Sequence, residues 1–357
     1  MSRLDNELYI ADVKKVSELH MNWNRLQNKN VLITGASGMI GTFLIDVLMY
    51  CNEVYKLNCT IMALARNQKN GLERFESYLE SENFRFIVAD INEPNSLQAI
   101  MPCHFVIHAA SNTHPVAYAT DPIGTISTNV IGTYNLLGFA SKCGCERFAF
   151  ISSVEVYGEN RGDVDAFEES YCGYIDCNTL RAGYPESKRV GESLCQAYKK
   201  QHGLDVVIPR LPRVYGPTVR MSDTKAVSQF IKKGLNKQDI VLKSAGNQLY
   251  SYAYVGDAVA GILYCLFRGE SGEAYNIAST DSDICLRELA NIIADEAGVK
   301  VTFELPDEVE MAGYSKATKA IMDATKIRRL GWQPMYDISA GIKKTLDVLG
   351  DISIGEK

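Results

Sequence analysis

Tyr184 and Lys188 stand four residues apart in the stretch RAGYPESKR. On a helix that spacing puts a phenol and an ammonium on one face, one turn apart. A phenol with an ordinary pKa near ~10 is a poor base at neutral pH, and a neighbouring cation favours its phenolate form. Pro185 lies between the two. If the helix begins at about 181–183, the proline falls in its first turn, where a missing N–H costs nothing. Ser153 closes an expected strand in ISSVEVYG, and Glu155 follows two residues later. The carboxyl end of a strand is where an α/β sheet holds its ligands. There a hydroxyl could bond both a substrate oxygen and the phenol. Hydroxyl, phenol and ammonium together suit the oxidation of an alcohol by hydride transfer to a nicotinamide.

That chemistry needs a hydride acceptor, and Gly35-Ala-Ser37-Gly38-Met39-Ile40-Gly41 offers a place for one. The turn leaves a short β-branched run at 30–34 and opens an apolar-faced helix at 39–50. Gly35 suits the tight turn, Gly38 a close approach to a pyrophosphate, and Gly41 close packing of helix on strand. The backbone N–H groups at the helix start then face the phosphates, where the helix dipole favours negative charge. The spacing is GxxGxxG rather than GxGxxG. At the end of the next strand an acidic residue would take the ribose 2′-hydroxyl of NAD; here Arg66 and Asn67 stand instead. Arg66 suits a 2′-phosphate, can stack on adenine, or is a solvated loop residue, so NAD and NADP both stay open. Asp90, ahead of Ile91, could accept from the adenine amino group.

These positions call for strands that end at them and helices that start there. Strand signals recur at 59–66, 84–90, 105–111, 147–153 and 205–211, with helical stretches between most of them: after Asn70, in NSLQAIM, over TISTNVIGTYNLLGFASKC and over YPESKRVGESLCQAYKKQ. Alternation of this kind implies a parallel sheet covered on both faces, an α/β doubly wound fold of Rossmann type. Past residue 211 the pattern loosens, with strands expected in DIVLK and YSYAYV and helices near 224–236, 257–268, 285–297 and 337–349. The expected organisation is a dinucleotide-binding domain over 28–210 plus about 250–278. A smaller substrate lobe takes 211–249 and 279–350, and an amphipathic helical extension fills 1–27. A net charge of −6, from 37 basic and 43 acidic residues without long single-sign runs, argues against nucleic acid as a partner. No apolar run is long enough to span a bilayer, and the opening residues lack a signal peptide's apolar centre. The ten cysteines are scattered, as expected of reduced thiols in a cytoplasmic protein. The five histidines include no HExxH, so no catalytic metal is expected.

From about 30 to 349 the chain resembles the extended short-chain dehydrogenase/reductases of the nucleotide-sugar epimerase/dehydratase family. The motifs run in order: GxxGxxG, AD at 89–90, HAAS at 108–111, TNVIGTYNLL at 128–137, SSVEVYG, YPESK, RLPRVYGP at 210–217, YAYVGDAV and LGWQP. The resemblance implies a tightly held NAD-type cofactor and a nucleoside-diphosphate sugar as substrate. Tyr184 would be the base. Lys188 would bind the nicotinamide ribose and lower the phenol's pKa, Ser153 would be the hydrogen-bonding partner, and Asn129 would support the site. Ala109, Ala110, Ser111 and Leu211 would line the cofactor. The shared first step would be hydride removal from sugar C4, giving a 4-ketone that acidifies its neighbours. Re-reduction on the other face gives 4-epimerisation, the outcome favoured here, with decarboxylation and dehydration next and net NADPH-dependent reduction or a non-catalytic cofactor-binding scaffold as alternatives.

Several residues bear on the choice. Sugar 4,6-dehydratases resemble Thr-Asp-Glu where this chain has Ser153-Val154-Glu155, and Val154 cannot donate a proton. Glu155 also matches the acidic residue of UDP-glucuronate decarboxylases, or is a strand-end carboxylate turned to solvent. The family usually carries Asn at the position of Arg213 and often Arg at that of Tyr250. That Arg grips the substrate diphosphate and in decarboxylases works near the reaction. Arg213 is expected to supply the lost phosphate contact. Thr113 and His114 are candidates to touch the sugar, His108 is expected in the core, Trp332 in the packing of the C-terminal lobe, and Asp257 as an N-cap. Apolar residues at helical spacing (Ile126, Val130, Leu137; Val190, Leu194, Ala197) imply, with the family, a homodimer.

Overall fold

The computed structural model describes residues 2–113, 120–304 and 318–355. Alternation within the short apolar runs decides the sheet. In β1 (Asn30–Thr34), Val31 and Ile33 point to one face and Leu32 to the other. In β2 (Thr60–Ala65), Ile61 and Ala63 join the first face while Met62 and Leu64 join the second. Both faces are therefore apolar and both need cover. With β3 (Phe84–Val88), β4 (Phe105–His108), β5 (Arg147–Phe150), β7 (Val206–Leu211) and β11 (Ala274–Asn276), these strands form one sheet in the order β3-β2-β1-β4-β5-β7-β11. Every pairing is parallel, and the two-residue β6 (Ser152–Ser153) extends the sheet by pairing with the end of β7. The order reverses between β1 and β4, the topological switch point at which such sheets take ligands.

α1 (Glu7–Ser17) precedes the sheet. The helices that matter for function follow the carboxyl ends of these strands: α2 (Met39–Tyr55), α3 (Gln68–Arg74), α4 (Pro122–Ser127) running through a π turn (Thr128–Gly132) into α5 (Thr133–Lys142), and α6 (Gly183–His202). Beyond β7 lie β8 (Arg213–Tyr215), α7 (Ala226–Leu235), β9 (Ile240–Leu242), β10 (Leu249–Tyr254), α8 (Val255–Arg268), α9 (Leu286–Ala297) and α10 (Ile338–Gly355). β10 is the middle of a second small sheet, parallel to β8 and antiparallel to the strand Asp283–Cys285. None of the described helices is long and apolar enough to cross a membrane.

Three expectations need correction. The stretch NSLQAIM yields only a single 3-10 turn, Pro94–Leu97. The N-terminal extension is α1 followed by a separate 3-10 turn, Trp23–Leu26, rather than one continuous helix. Asp257 does not cap α8. It is that helix's third residue, buried, and it accepts from the Met335 N–H at 2.6 Å, and burial pushes its pKa up to about 7. The N-cap position belongs to Tyr254. Trp332 packs the C-terminal region as expected, fully buried and donating to the Asp257 carbonyl.

Two buried carboxylates staple the N-terminal extension to the body. Asp46 of α2 takes a forked pair of bonds from Arg3 at 2.7 and 2.9 Å, with Tyr78 and Tyr9 also donating to it. Asp12 of α1 accepts from Tyr254 at 2.6 Å and Tyr336 at 2.5 Å. Forked, charge-assisted bonds of this kind are among the strong ones.

Candidate active site

The phosphate turn is built as its glycines require. Gly35 has φ +67°, and a Cβ there would lie 2.6 Å from the Ala109 carbonyl oxygen at the end of β4. At Gly41 a Cβ would lie 2.6 Å from the Gly35 carbonyl oxygen, so α2 can seat on the turn only without a side chain there. Gly38 occupies the N-cap, and Met39 and Ile40 begin the helix. Around this turn Ala110 donates its N–H to Thr34 Oγ1 at 3.2 Å. Arg66, just past β2, donates to Asn112 Oδ1 at 3.1 Å, and Asp90, past β3, accepts from the Asn92 N–H at 2.9 Å. Ile91 is buried. The structure thus gathers the ends of β1, β2, β3 and β4 around one turn.

On the other side of the switch point, α6 begins at Gly183, so Pro185 sits at its third position, within the first turn. Tyr184 is buried, and its hydroxyl hydrogen-bonds the side chain of Ser153. Burial pushes the phenol up to about 12, Glu155 adds to that, and the Ser153 bond and the Arg181 charge pull it down. The Nζ of Lys188, on the same helix, donates to the Ile151 carbonyl, just past the end of β5, at 2.8 Å and lies 4.8 Å from the Phe150 ring centre. Burial lowers its own pKa to about 8.

Asn129 sits on the π turn, fully buried. It accepts from Ser111 at 2.8 Å and donates to Ser187 at 2.9 Å, and Ser187 in turn donates to the Tyr184 carbonyl. One side chain thus ties the end of β4 to the first turns of α6, and π turns recur at functional positions. His108 is a satisfied core residue between Thr34 (2.7 Å) and Thr133 (3.0 Å), held neutral by burial with a pKa of about 3.

Glu155 does not face solvent alone. Its carboxylate pairs with Arg181 at 2.8 Å and lies 4.0 Å from Arg213. Arg213 stacks 3.4 Å above the centre of the Tyr250 ring, because β8 and β10 run side by side with Arg213 opposite Tyr252. The Nη1 of Arg213 is buried and makes no hydrogen bond among the described residues. Ser153 pairs with Leu211 in the sheet, and Val154 is buried between Ser153 and this charged group. Thr113 accepts from Lys225 at 3.1 Å, and His114 lies outside the described residues. The sequence reading assigned no role to Arg181, although its place three residues before Tyr184 is a readable helical spacing. Lys225, Ser187 and Arg220 carry no such local signal.

Residues 31–278 match the NAD dependent epimerase/dehydratase family. The chain belongs to that family. UDP-glucuronic acid decarboxylase 6 of Arabidopsis thaliana is 31% identical over 322 residues, covering 88% of this chain and 87% of that protein. UDP-glucuronic acid decarboxylase 1 of Xenopus tropicalis is 30% identical over 323 residues, covering 89% of this chain and 71% of that one. Among solved structures, a UDP-glucuronic acid 4-epimerase from Bacillus cereus, in complex with UDP-glucuronic acid and NAD, superposes with a TM-score of 0.76 at 22% identity, covering 90% of this chain and 99% of the other. The fold is shared. The residues present also fit the family's cofactor, since the turn's two close approaches leave no room for a Cβ and its helix start turns N–H groups outward.

Proposed function

We propose that the chain is an enzyme of nucleotide-sugar metabolism that oxidises its substrate at sugar C4 and removes the carboxylate of a hexuronate, as a UDP-glucuronate decarboxylase does. The backbone of Ser37, Gly38, Met39 and Ile40 would hold the pyrophosphate of NAD. Asp90 and Ile91 would lie at the adenine and Arg66 at its ribose, while Ala109, Ala110, Ser111 and Leu211 would line the remainder. NAD bound there would supply the acceptor for the C4 hydride. Tyr184 takes the proton of the 4-hydroxyl, and Ser153 keeps the phenol and the sugar oxygen in one line of hydrogen bonds. Residues 211–249 and 279–350 would form the lobe that receives the nucleotide.

The observation that carries the choice of reaction is Glu155 held between Arg181 and Arg213 next to the buried Val154. A uronate oxidised at C4 is a β-keto acid. Its C5–C6 bond breaks to release CO2, and the bond's electrons move onto the C4 oxygen. A proton then adds at C5 to restore the 4-ketone, and return of the hydride to C4 gives the pentose. No acid is needed to expel a hydroxyl, so Val154 is no handicap here, whereas a dehydration would need a proton at that point. The guanidinium of Arg213 offers its unpaired Nη1 to an anionic group of the substrate. This reading moves decarboxylation ahead of the epimerisation that the sequence favoured, and the decarboxylase relatives support the move.

Incubation with UDP-glucuronate, followed by NMR, should give a UDP-pentose and CO2. An intact hexuronate inverted at C4 would replace decarboxylation by epimerisation, and no change in UDP-, dTDP-, GDP- and CDP-sugars alike would end the proposal. Arg213→Ala should raise the substrate KM about tenfold or more while NAD affinity holds, the worth of one charge-assisted contact. Equal effects on both would remove Arg213 from the substrate site. A stripe of exposed side chains on α4 through α5, from Ile123 (78% exposed) through Ile126 and Ile131 to Tyr134, joins Val190 of α6. We assign it to a twofold dimer, which sedimentation at the mass of one chain would refute. Leu137 is not part of that face, being buried in the core.

A further inference from the structure

A segment from beyond the large sheet lies across the phosphate turn. Thr218 donates to the Met39 carbonyl at 2.8 Å, and Arg220 donates twice to Ser37, from Nε to its carbonyl at 2.9 Å and from Nη2 to its hydroxyl at 2.5 Å. From the opposite side Arg74 of α3 donates to Thr42 Oγ1 at 2.9 Å and to the Thr218 carbonyl. Two guanidiniums thus converge on the turn that opens α2. They repel: Arg74 is lowered to about 10 by burial and by the charges of Arg3 and Arg220, among others. Arg220 is lowered by burial alone, and no carboxylate pairs with it among the described residues. Its Nη1 makes no hydrogen bond among them. A half-buried cation with one donor left to solvent, set on the turn beside another cation and paired with no carboxylate among the described residues, is placed to take an anion.

We propose that Arg220 is a ligand of the dinucleotide's phosphates, so that the part of the chain that receives the sugar nucleotide also closes the cofactor site. The proposal rests on the cofactor reading above. It goes beyond it by placing a charge on the turn itself, where the glycines supply none and where Arg66 lies instead past the end of β2. An anion at Nη1 would relieve the repulsion between Arg74 and Arg220 and would be held from both sides of the turn. Two groups of the same chemistry could serve, the pyrophosphate of either dinucleotide or the 2′-phosphate of NADP.

Protein freed of dinucleotide by dilute denaturant and refolded is titrated calorimetrically with NAD, with NADP and with UDP. Arg220→Ala should weaken a dinucleotide roughly tenfold or more, as expected for one charge-assisted contact, and leave UDP binding unchanged. Arg220→Gln keeps an amide that can reach Ser37 but carries no charge, and should lose as much. Equal losses for NAD and NADP assign Arg220 to the pyrophosphate, and a loss confined to NADP assigns it to the 2′-phosphate. Wild-type affinity for both dinucleotides in the glutamine variant would overturn the proposal, as would a loss that falls on UDP alone. Wild-type protein that binds neither dinucleotide would sink the cofactor reading first, and this proposal with it.

Discussion

Tyr184→Phe is expected to lower kcat by roughly 10²- to 10⁴-fold, the usual contribution of a positioned general base. The ring stays in its buried place, so packing is kept, and only the oxygen bonded to Ser153 is removed. NAD and UDP affinities should therefore hold while turnover collapses. The wild-type profile should show the same group. Burial holds the phenol at about 12, so the fraction present as phenolate grows tenfold for each pH unit below that value. The rate should climb with pH from 6 until Lys188, with a pKa of about 8, begins to lose its proton. A Tyr184→Phe enzyme turning over at the wild-type rate, or a wild-type rate that falls from pH 6 to 7.5, would remove Tyr184 from the chemistry.

Lys188→Met should abolish turnover and at the same time raise the melting temperature of the cofactor-free protein. An ammonium buried beside Phe150, with the Ile151 carbonyl as its hydrogen-bond acceptor among the described residues, costs stability. Its pKa falls to about 8 in the fold, against 10.5 for the free side chain. At neutral pH the lysine is charged in both states, and the fold carries the full cost, on the order of 3 kcal/mol. Between pH 8 and 10.5 the folded state sheds its proton first, so stability rises with pH and the cost fades. Methionine fills a similar volume but leaves the Ile151 carbonyl without its donor, which takes back about 1 kcal/mol. The net gain near pH 7 should be about 2 kcal/mol, and should shrink through zero and change sign by pH 10.5, where the loss at the Ile151 carbonyl outweighs what is left of the cost. A melting temperature that falls at pH 7, or a gain that grows with pH, would contradict this account. The trade is intelligible as function: a cation held in a dry place acts strongly on whatever binds beside it.

The parts of this protein written in local sequence were legible. That β1 to β5 form a parallel sheet covered on both faces was legible in short apolar runs separated by helical stretches, because both faces of such strands must be buried. Gly35 and Gly41 were readable because a missing Cβ is a local property, and the clash at Ala109 only shows why it is needed. Tyr184 and Lys188 lie on one helix, so their nearness required only that the helix exist. Failures also had local causes. NSLQAIM has helical composition but holds only one turn, and Asp257 looks like a cap although α8 starts two residues earlier.

What no window of sequence contained is which distant charges meet. Ser37 and Arg220 are separated by 183 residues and joined by two bonds. Glu155 meets Arg213 because β6 and β8 flank the end of β7, and Arg213 lies on Tyr250 because β8 and β10 pair in one register. Even the bond from Lys188 to the Ile151 carbonyl depended on where β5 ends. Backbone periodicity and glycine sterics act over a few residues, so the chain states them outright. Electrostatic pairing acts through space, and only the closed fold, by bringing strand ends together and excluding water between them, decides which charges feel one another.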